Sequence, residues 1–250
     1  MNTLIEWAAP PSDFSIEKGT VHLWAWDFNC SKEELDHHMT LLSPEEHARL
    51  QRLRFDGDRF RYAVSHAVLR LVLGRYLGVE PTLVAFTRNK FGKPDLTATL
   101  ATTSKLSFNL SHTNRIALLA IAADLKVGVD VEELRHVETE IVERHFSGRE
   151  RRELADLTGE QWLEGFYNCW TRKEAILKAE GIGLNGNLDA FDVTLRPGDL
   201  VALLGFDDTS GLTLNWHLSG LRLGLSVVGA LATSAVPTRV DYYNFSARSG

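Results

Sequence analysis

The feature that most constrains this chain is an order of elements that occurs twice: a strand, then helices, then several strands. Residues 21–28 alternate in character and carry Trp24 and Trp26, which suits a strand. Ser31-x-x-Glu34 and Ser43-x-x-Glu46 fit the reciprocal bonding of a capping box and predict two helix starts, and a longer helix is expected over 58–77, stopped at Gly78. Strands are expected at 83–87, 105–110 and 116–122, with a turn-rich stretch at 89–94. The second round opens with a strand over 126–131. Helices follow over 138–145, 149–156 (started by Ser147-x-x-Glu150) and 160–180, then strands at 188–195, 212–218 and 222–231. Trp26-Asp27 and Val129-Asp130 lie 103 residues apart, Leu42-Ser43 and Phe146-Ser147 lie 104 apart, and Phe60 and Phe166 lie 106 apart. Near-constant spacing predicts a duplicated α+β unit, with halves 1–124 and 125–250 packed about a pseudo-twofold axis and a cleft between them. The tail, 233–250, has no periodicity that assigns it.

A chain of 250 residues that is 44% hydrophobic and 24% charged can bury a full core. Its net charge of -6 argues against nucleic-acid binding through a general basic field, so a phosphate-rich ligand has to meet a local cluster. The start, Met1 to Trp7, lacks the basic, apolar pattern of a signal peptide, and no uncharged run reaches the ~18 residues of a membrane span; the cytoplasm is the expected location. Cys30 and Cys169 are too few and too isolated for a disulfide framework or a thiolate metal site, and read as packing residues.

In Val127-Gly128-Val129-Asp130-Val131-Glu132 the alternation of a strand puts Asp130 and Glu132 on one face and Val129 and Val131 on the other. Two adjacent carboxylates are unfavourable unless a cation or solvent relieves them, so the pair is either a metal site or a solvated strand edge. Leu163, Phe166 and Trp170 form an apolar helical stripe with Glu174 at its border, and Lys178 stands one turn further. Glu174 is either a partly desolvated carboxylate or half of a surface ion pair with Lys178. Three carboxylates without His or Cys companions select magnesium over zinc or copper. The basic turn Arg88-Asn89-Lys90-Phe91-Gly92-Lys93-Pro94 can hold phosphates or be a solvated loop, and Asn109-Leu110-Ser111-His112-Thr113 can serve a phosphate or a base or be a polar turn. His37, His38 and His66 have no companions at metal spacing and read as surface or packing residues.

Taken in order, Phe91-Gly92-Lys93-Pro94, Phe108-Asn109-Leu110-Ser111-His112, Val127 to Glu132 and Trp170-Thr171-Arg172-Lys173-Glu174-Ala175-Ile176-Leu177-Lys178 resemble the 4'-phosphopantetheinyl transferases of the Sfp type. The resemblance implies a single-chain, monomeric pseudodimer of two α+β halves with coenzyme A in the cleft. It implies magnesium on Asp130, Glu132 and Glu174, although some relatives lack an acid at the middle position. It further implies that Lys93, Ser111, His112 and Lys178 contact the phosphates of coenzyme A, that Arg49 and Arg88 approach its 3'-phosphate or adenine, and that Glu174 and Lys178 are catalytic. The reaction it implies is transfer of phosphopantetheine to a serine of an acyl, peptidyl or polyketide carrier protein, with no nucleic-acid or membrane partner. Asp27 and Asn29 hold the matching places in the first half, so only the second half keeps the acidic set. Rival readings are another magnesium phosphotransferase, which lacks support because no GxxxxGK[ST] loop is present, and a non-catalytic binding module.

Overall fold

The computed structural model describes residues 5–183, 186–207, 210, 212 and 216–245. Strand β1 (Thr20–Asp27) leads into α1 (Lys32–Leu41), α2 (Pro44–Arg52) and the long α3 (Asp56–Leu77). The short hairpin β2 (Phe86–Arg88) and β3 (Pro94–Leu96), α4 (Ala98–Ser104), β4 (Leu106–His112) and β5 (Ile116–Ala123) complete the first round. The second runs β6 (Val127–Glu133), α5 (Glu140–His145), α6 (Gly148–Ala155), the long α7 (Gly159–Glu180), β7 (Phe191–Val193), β8 (Leu203–Phe206), β9 (His217–Arg222) and β10 (Val227–Thr233), and the chain then ends in β11 (Arg239–Asn244). This is an α+β pseudodimer.

The two long helices measure the duplication. Their first residues, 56 and 159, and their last, 77 and 180, are both 103 apart. Both end on a glycine in the left-handed region, Gly78 and Gly181, where other residues are strained. The Phe60–Phe166 spacing of 106 is therefore one helical turn out of register; at 103, Phe166 faces Ala63. The capping boxes of α1, α2 and α6 form as the sequence predicts.

Two of these caps do more than end a helix. Glu46, the capping acid of α2, also accepts from Arg70 on α3 at 2.7 Å, and Arg70 donates onward to the carbonyls of Pro81 and Val84. Glu150, the capping acid of α6, pairs with Lys173 on α7 at 2.8 Å, and Lys173 donates to the carbonyls of Leu188 and Phe191. Lys173 and Glu150 are 1% and 0% exposed, so each needs the other as a counterion. Each cation thus ties a cap, a long helix and the turn after that helix into one unit.

The sheet order is β11-β1-β5-β4 in one half and β6-β10-β9 in the other. The two sheets meet through Leu23, Leu118, Ala120, Val129, Val131 and Leu231. Helix α3 packs its apolar side with the first sheet around Trp24, Leu69 and Phe108, and α7 packs with the second around Phe166, Ile176 and Ala230. The layers are helix, sheet, sheet, helix. Strand β6 is consequently buried on both faces, which explains why it reads as a run of valines broken only by functional-looking residues.

Several boundaries differ from the sequence expectation. The strand expected over 188–195 is a 3-10 turn followed by three strand residues, and 83–87 divides likewise. Residues 213–215 of the strand expected over 212–218 lie outside the described residues, whereas 217–222 is β9 and the strand expected over 222–231 begins only at Val227. The tail supplies β11, which pairs in parallel with β1 from Thr20↔Arg239 to Ala25↔Asn244 and so returns to the first half.

Candidate active site between the halves

Helix α7 lies unusually close to β6, and Gly128 is the reason. A β-carbon there would fall 2.1 Å from the carbonyl oxygen of Ala175 and 2.4 Å from the nitrogen of Ala179, closer than any side chain permits. The approach sets Glu174 and Lys178 of α7 beside Asp130 and Glu132 of β6. From the first half, β4 closes the arrangement: Asn109 Oδ1 accepts from the Val129 amide at 2.8 Å, joining two strands that share no ladder. Two residues along β4, Ser111 is brought to Asp130.

Asp130 is only 3% exposed. Its Oδ1 accepts from Ser111 Oγ at 3.0 Å and from Lys178 Nζ at 2.5 Å, and Lys178 Nζ also donates to Ser111 Oγ at 2.9 Å. Ser111 of the first half and Asp130 and Lys178 of the second thus form a closed triangle. Asp130 Oδ2 and Glu174 Oε1 are buried and have no hydrogen-bond partner among the described residues. Glu174 itself is 8% exposed. Burial, followed by the negative charge of Asp130, pushes both Glu132 and Glu174 up to about 7, against the pull of Lys178. The solvated edge and the surface ion pair are excluded, because these carboxyls are substantially buried and Lys178 bonds Asp130.

Among the described residues no group of three or more His, Cys, Asp or Glu side chains stands in a ready-made metal array. Lys178 already holds one oxygen of Asp130. The donor set nevertheless suits a hard cation: every donor is oxygen, two carboxylate oxygens are buried without partners among the described residues, and burial, followed by repulsion from Asp130, raises two of the acids. Asp130, Glu132 and Glu174 therefore fit magnesium in chemistry, with Lys178 standing as the positive charge on Asp130.

The other expected residues fall into two groups. His112, at the end of β4, lines a cavity of about 280 Å³ between the halves with Arg61, Glu132 and Arg135. Partial burial of its ring, and then the cations Arg61 and Lys178, hold its pKa below the usual histidine range. Arg49 and Arg88 are exposed and both act electrostatically on Tyr62, whose hydroxyl is buried without a partner among the described residues and whose ring stacks on His66 at 4.0 Å. His66 is in turn bonded to Glu46 at 2.8 Å. A row of basic groups therefore runs from Arg49 and Arg88 past His66 and Arg61 to His112 and Lys178. Sequence reasoning missed Arg61 and Tyr62 and read His66 as a surface or packing residue; their spacing along one helix was the available signal, but it matches ordinary helix surface.

Lys93 lies apart from this row. Its ammonium donates to the carbonyls of Val127 at 3.4 Å and Ala179 at 3.3 Å, and burial lowers its pKa to about 8. Asn89 of the same turn donates to the Gly181 carbonyl at 2.6 Å, so the turn latches the first half onto the end of α7.

A model of the 4'-phosphopantetheinyl transferase superfamily matches residues 126–226, and a model of the N-terminal region of 4'-phosphopantetheinyl transferases matches residues 25–124. The chain belongs to the 4'-phosphopantetheinyl transferase superfamily. Among its relatives, the 4'-phosphopantetheinyl transferase HetI of Nostoc sp. is 36% identical over 193 residues, covering 76% of this chain and 81% of the relative. The 4'-phosphopantetheinyl transferase Sfp of Bacillus subtilis is 28% identical over 173 residues, covering 69% of this chain and 75% of the relative.

Proposed function

We propose that the cleft between β4, β6 and α7 transfers 4'-phosphopantetheine from coenzyme A to a serine of an apo acyl, peptidyl or polyketide carrier protein. The observation that carries this reading is the triangle of Ser111, Asp130 and Lys178 beside two raised carboxyls, in a chain of this superfamily. The serine oxygen forms a bond to the β-phosphorus of coenzyme A. The bond from that phosphorus to the bridging oxygen breaks, and adenosine 3',5'-bisphosphate leaves with the electron pair.

Glu174 takes the serine proton, directly or through a water, because a carboxyl raised to about 7 is matched to proton transfer at neutral pH. Lys178 and His112 donate to the pyrophosphate, and Ser111 orients Lys178. Fixed donors of this kind stabilise charge that develops on the leaving group. Arg49 and Arg88 hold the 3'-phosphate end, and Lys93 serves the phosphates after release from its carbonyl partners. When bound by Asp130, Glu132 and Glu174, magnesium supplies positive charge against the pyrophosphate.

The protein acts as a monomeric pseudodimer in the cytoplasm, without a nucleic-acid or membrane partner. Its halves are 1–124 and 125–250, with the strand at 239–244 lent back to the first. Among the described residues no helix is long and apolar enough to cross a membrane. The test is release of adenosine 3',5'-bisphosphate from coenzyme A. It is expected only with magnesium and an apo carrier together; a panel of apo carriers that gives no release above the carrier-free rate refutes the reading.

A further inference from the structure

The hairpin turn between β2 and β3 belongs to the first half, yet two of its side chains end on the second. Asn89 is fixed within the turn: its Oδ1 accepts from the amides of Phe91 at 2.9 Å and Lys93 at 3.0 Å. With the oxygen occupied, the NH2 group faces outward and donates to the Gly181 carbonyl at 2.6 Å. The network around Asn89 thus sets the orientation of its amide.

Gly181 closes α7. It sits at φ 78°, and the amides of Gly181 and Ile182 both donate to the Leu177 carbonyl, at 2.9 and 3.2 Å. These two bonds close the turn that carries Lys178. A β-carbon on Gly181 would fall 2.7 Å from Asn89 Nδ2, so glycine serves both the left-handed backbone and the approach of Asn89. Lys93 grips beside it, on the carbonyls of Ala179 in the same turn and of Val127, the first residue of β6. The hairpin turn therefore spans the end of α7 and the start of β6, the two segments whose side chains meet as Lys178 and Asp130 at 2.5 Å. Lys93 gives up its carbonyls when it turns to a phosphate, whereas the Asn89 bond needs no such release.

We infer that Asn89 is a positioning residue for the transfer. By holding the Gly181 carbonyl from the other half, it sets the last turn of α7, and hence Lys178, against Asp130 and Ser111. Its side chain acts through Lys178 rather than on coenzyme A. The inference rests on the reading of the cleft as a phosphopantetheine-transfer site.

Two substitutions remove the donor and keep an acceptor for the turn: Asn89→Asp and the neutral Asn89→Ser. The parent, both variants, Lys178→Ala and the two double variants are assayed, below their melting transitions, for transfer of label from coenzyme A to an apo carrier with magnesium. Each single Asn89 variant should lose about tenfold in kcat, the loss of one hydrogen bond, with KM for coenzyme A changed by no more than about twofold. In the Lys178→Ala background the same substitutions should change the residual rate by less than about twofold, because the group they position is gone. The Gly181 and Ile182 amides should exchange with solvent about tenfold faster in both variants, while the matching Gly78 and Val79 amides at the end of α3 stay unmoved. Parent kcat in either variant, a raised KM at unchanged kcat, an equal loss in the Lys178→Ala background, a loss in Asn89→Asp alone, or unmoved Gly181 and Ile182 amides overturns the inference. A parent that labels no carrier removes the reading of the cleft and this inference with it, whereas the other outcomes remove the inference alone.

Discussion

Asp130 has one oxygen engaged by Ser111 and Lys178 and one engaged by nothing described, and the acids beside it are raised first by burial and then by its charge. Glu132 and Glu174 move from 4.5 to about 7 on folding. The native state therefore binds protons more tightly than the unfolded chain. The stability this gives is fully present below pH 4.5 and is lost as pH rises through about 7, by at most roughly 3 kcal/mol per carboxyl. A cation that these acids hold should restore it. Magnesium is expected to raise the melting temperature clearly at pH 8 and little at pH 5, where protonated carboxyls bind it poorly; equal effects at both would count against a carboxylate site. At this scale the sequence was informative about which residues share a face, because strand alternation is local. It could not reveal that Asp130 is buried, because that depends on β4 arriving from the other half.

Gly128 and the two buried cap-to-helix pairs govern how elements meet. Gly128→Ala forces β6 and α7 apart against backbone atoms, so we expect a loss of about 1–3 kcal/mol in denaturant unfolding and a fall in transfer rate as Glu174 moves away from Asp130. A variant as active as the parent would show that the close approach does not position the site. Lys173→Met leaves Glu150 buried without its counterion and should cost about 3–5 kcal/mol, part of it recovered when Glu150→Gln is added. No recovery in the double variant would mean that the carbonyl contacts of Lys173, rather than the ion pair, dominate. Helix starts at Ser31, Ser43 and Ser147 were legible because a capping box is written within four residues. Strands β3, β8 and β11 and helix α4 were not, since they are short and owe their form to pairing and packing partners distant in sequence.

Across the whole molecule, duplication was visible as recurrent landmarks, and the structure fixes its register at 103 through the two long helices. What no landmark announced is how the symmetry is broken. One half keeps Asp130, Glu132, Glu174 and Lys178 at a junction closed by β4, and the other has Asp27, Asn29, Leu71 and Arg75 beside the returning β11. A chain built this way should carry one transfer site, assembled from both halves, and that claim is open to a direct measurement. Coenzyme A labelled on its thiol is incubated with magnesium, an apo carrier and either the parent chain, Glu174→Gln or Asp130→Ala. The parent should place label on the carrier serine, and each variant, folded by its melting curve, should do so about 100-fold or more slowly. Near-normal transfer by either variant, or none by the parent to any carrier, would contradict the account.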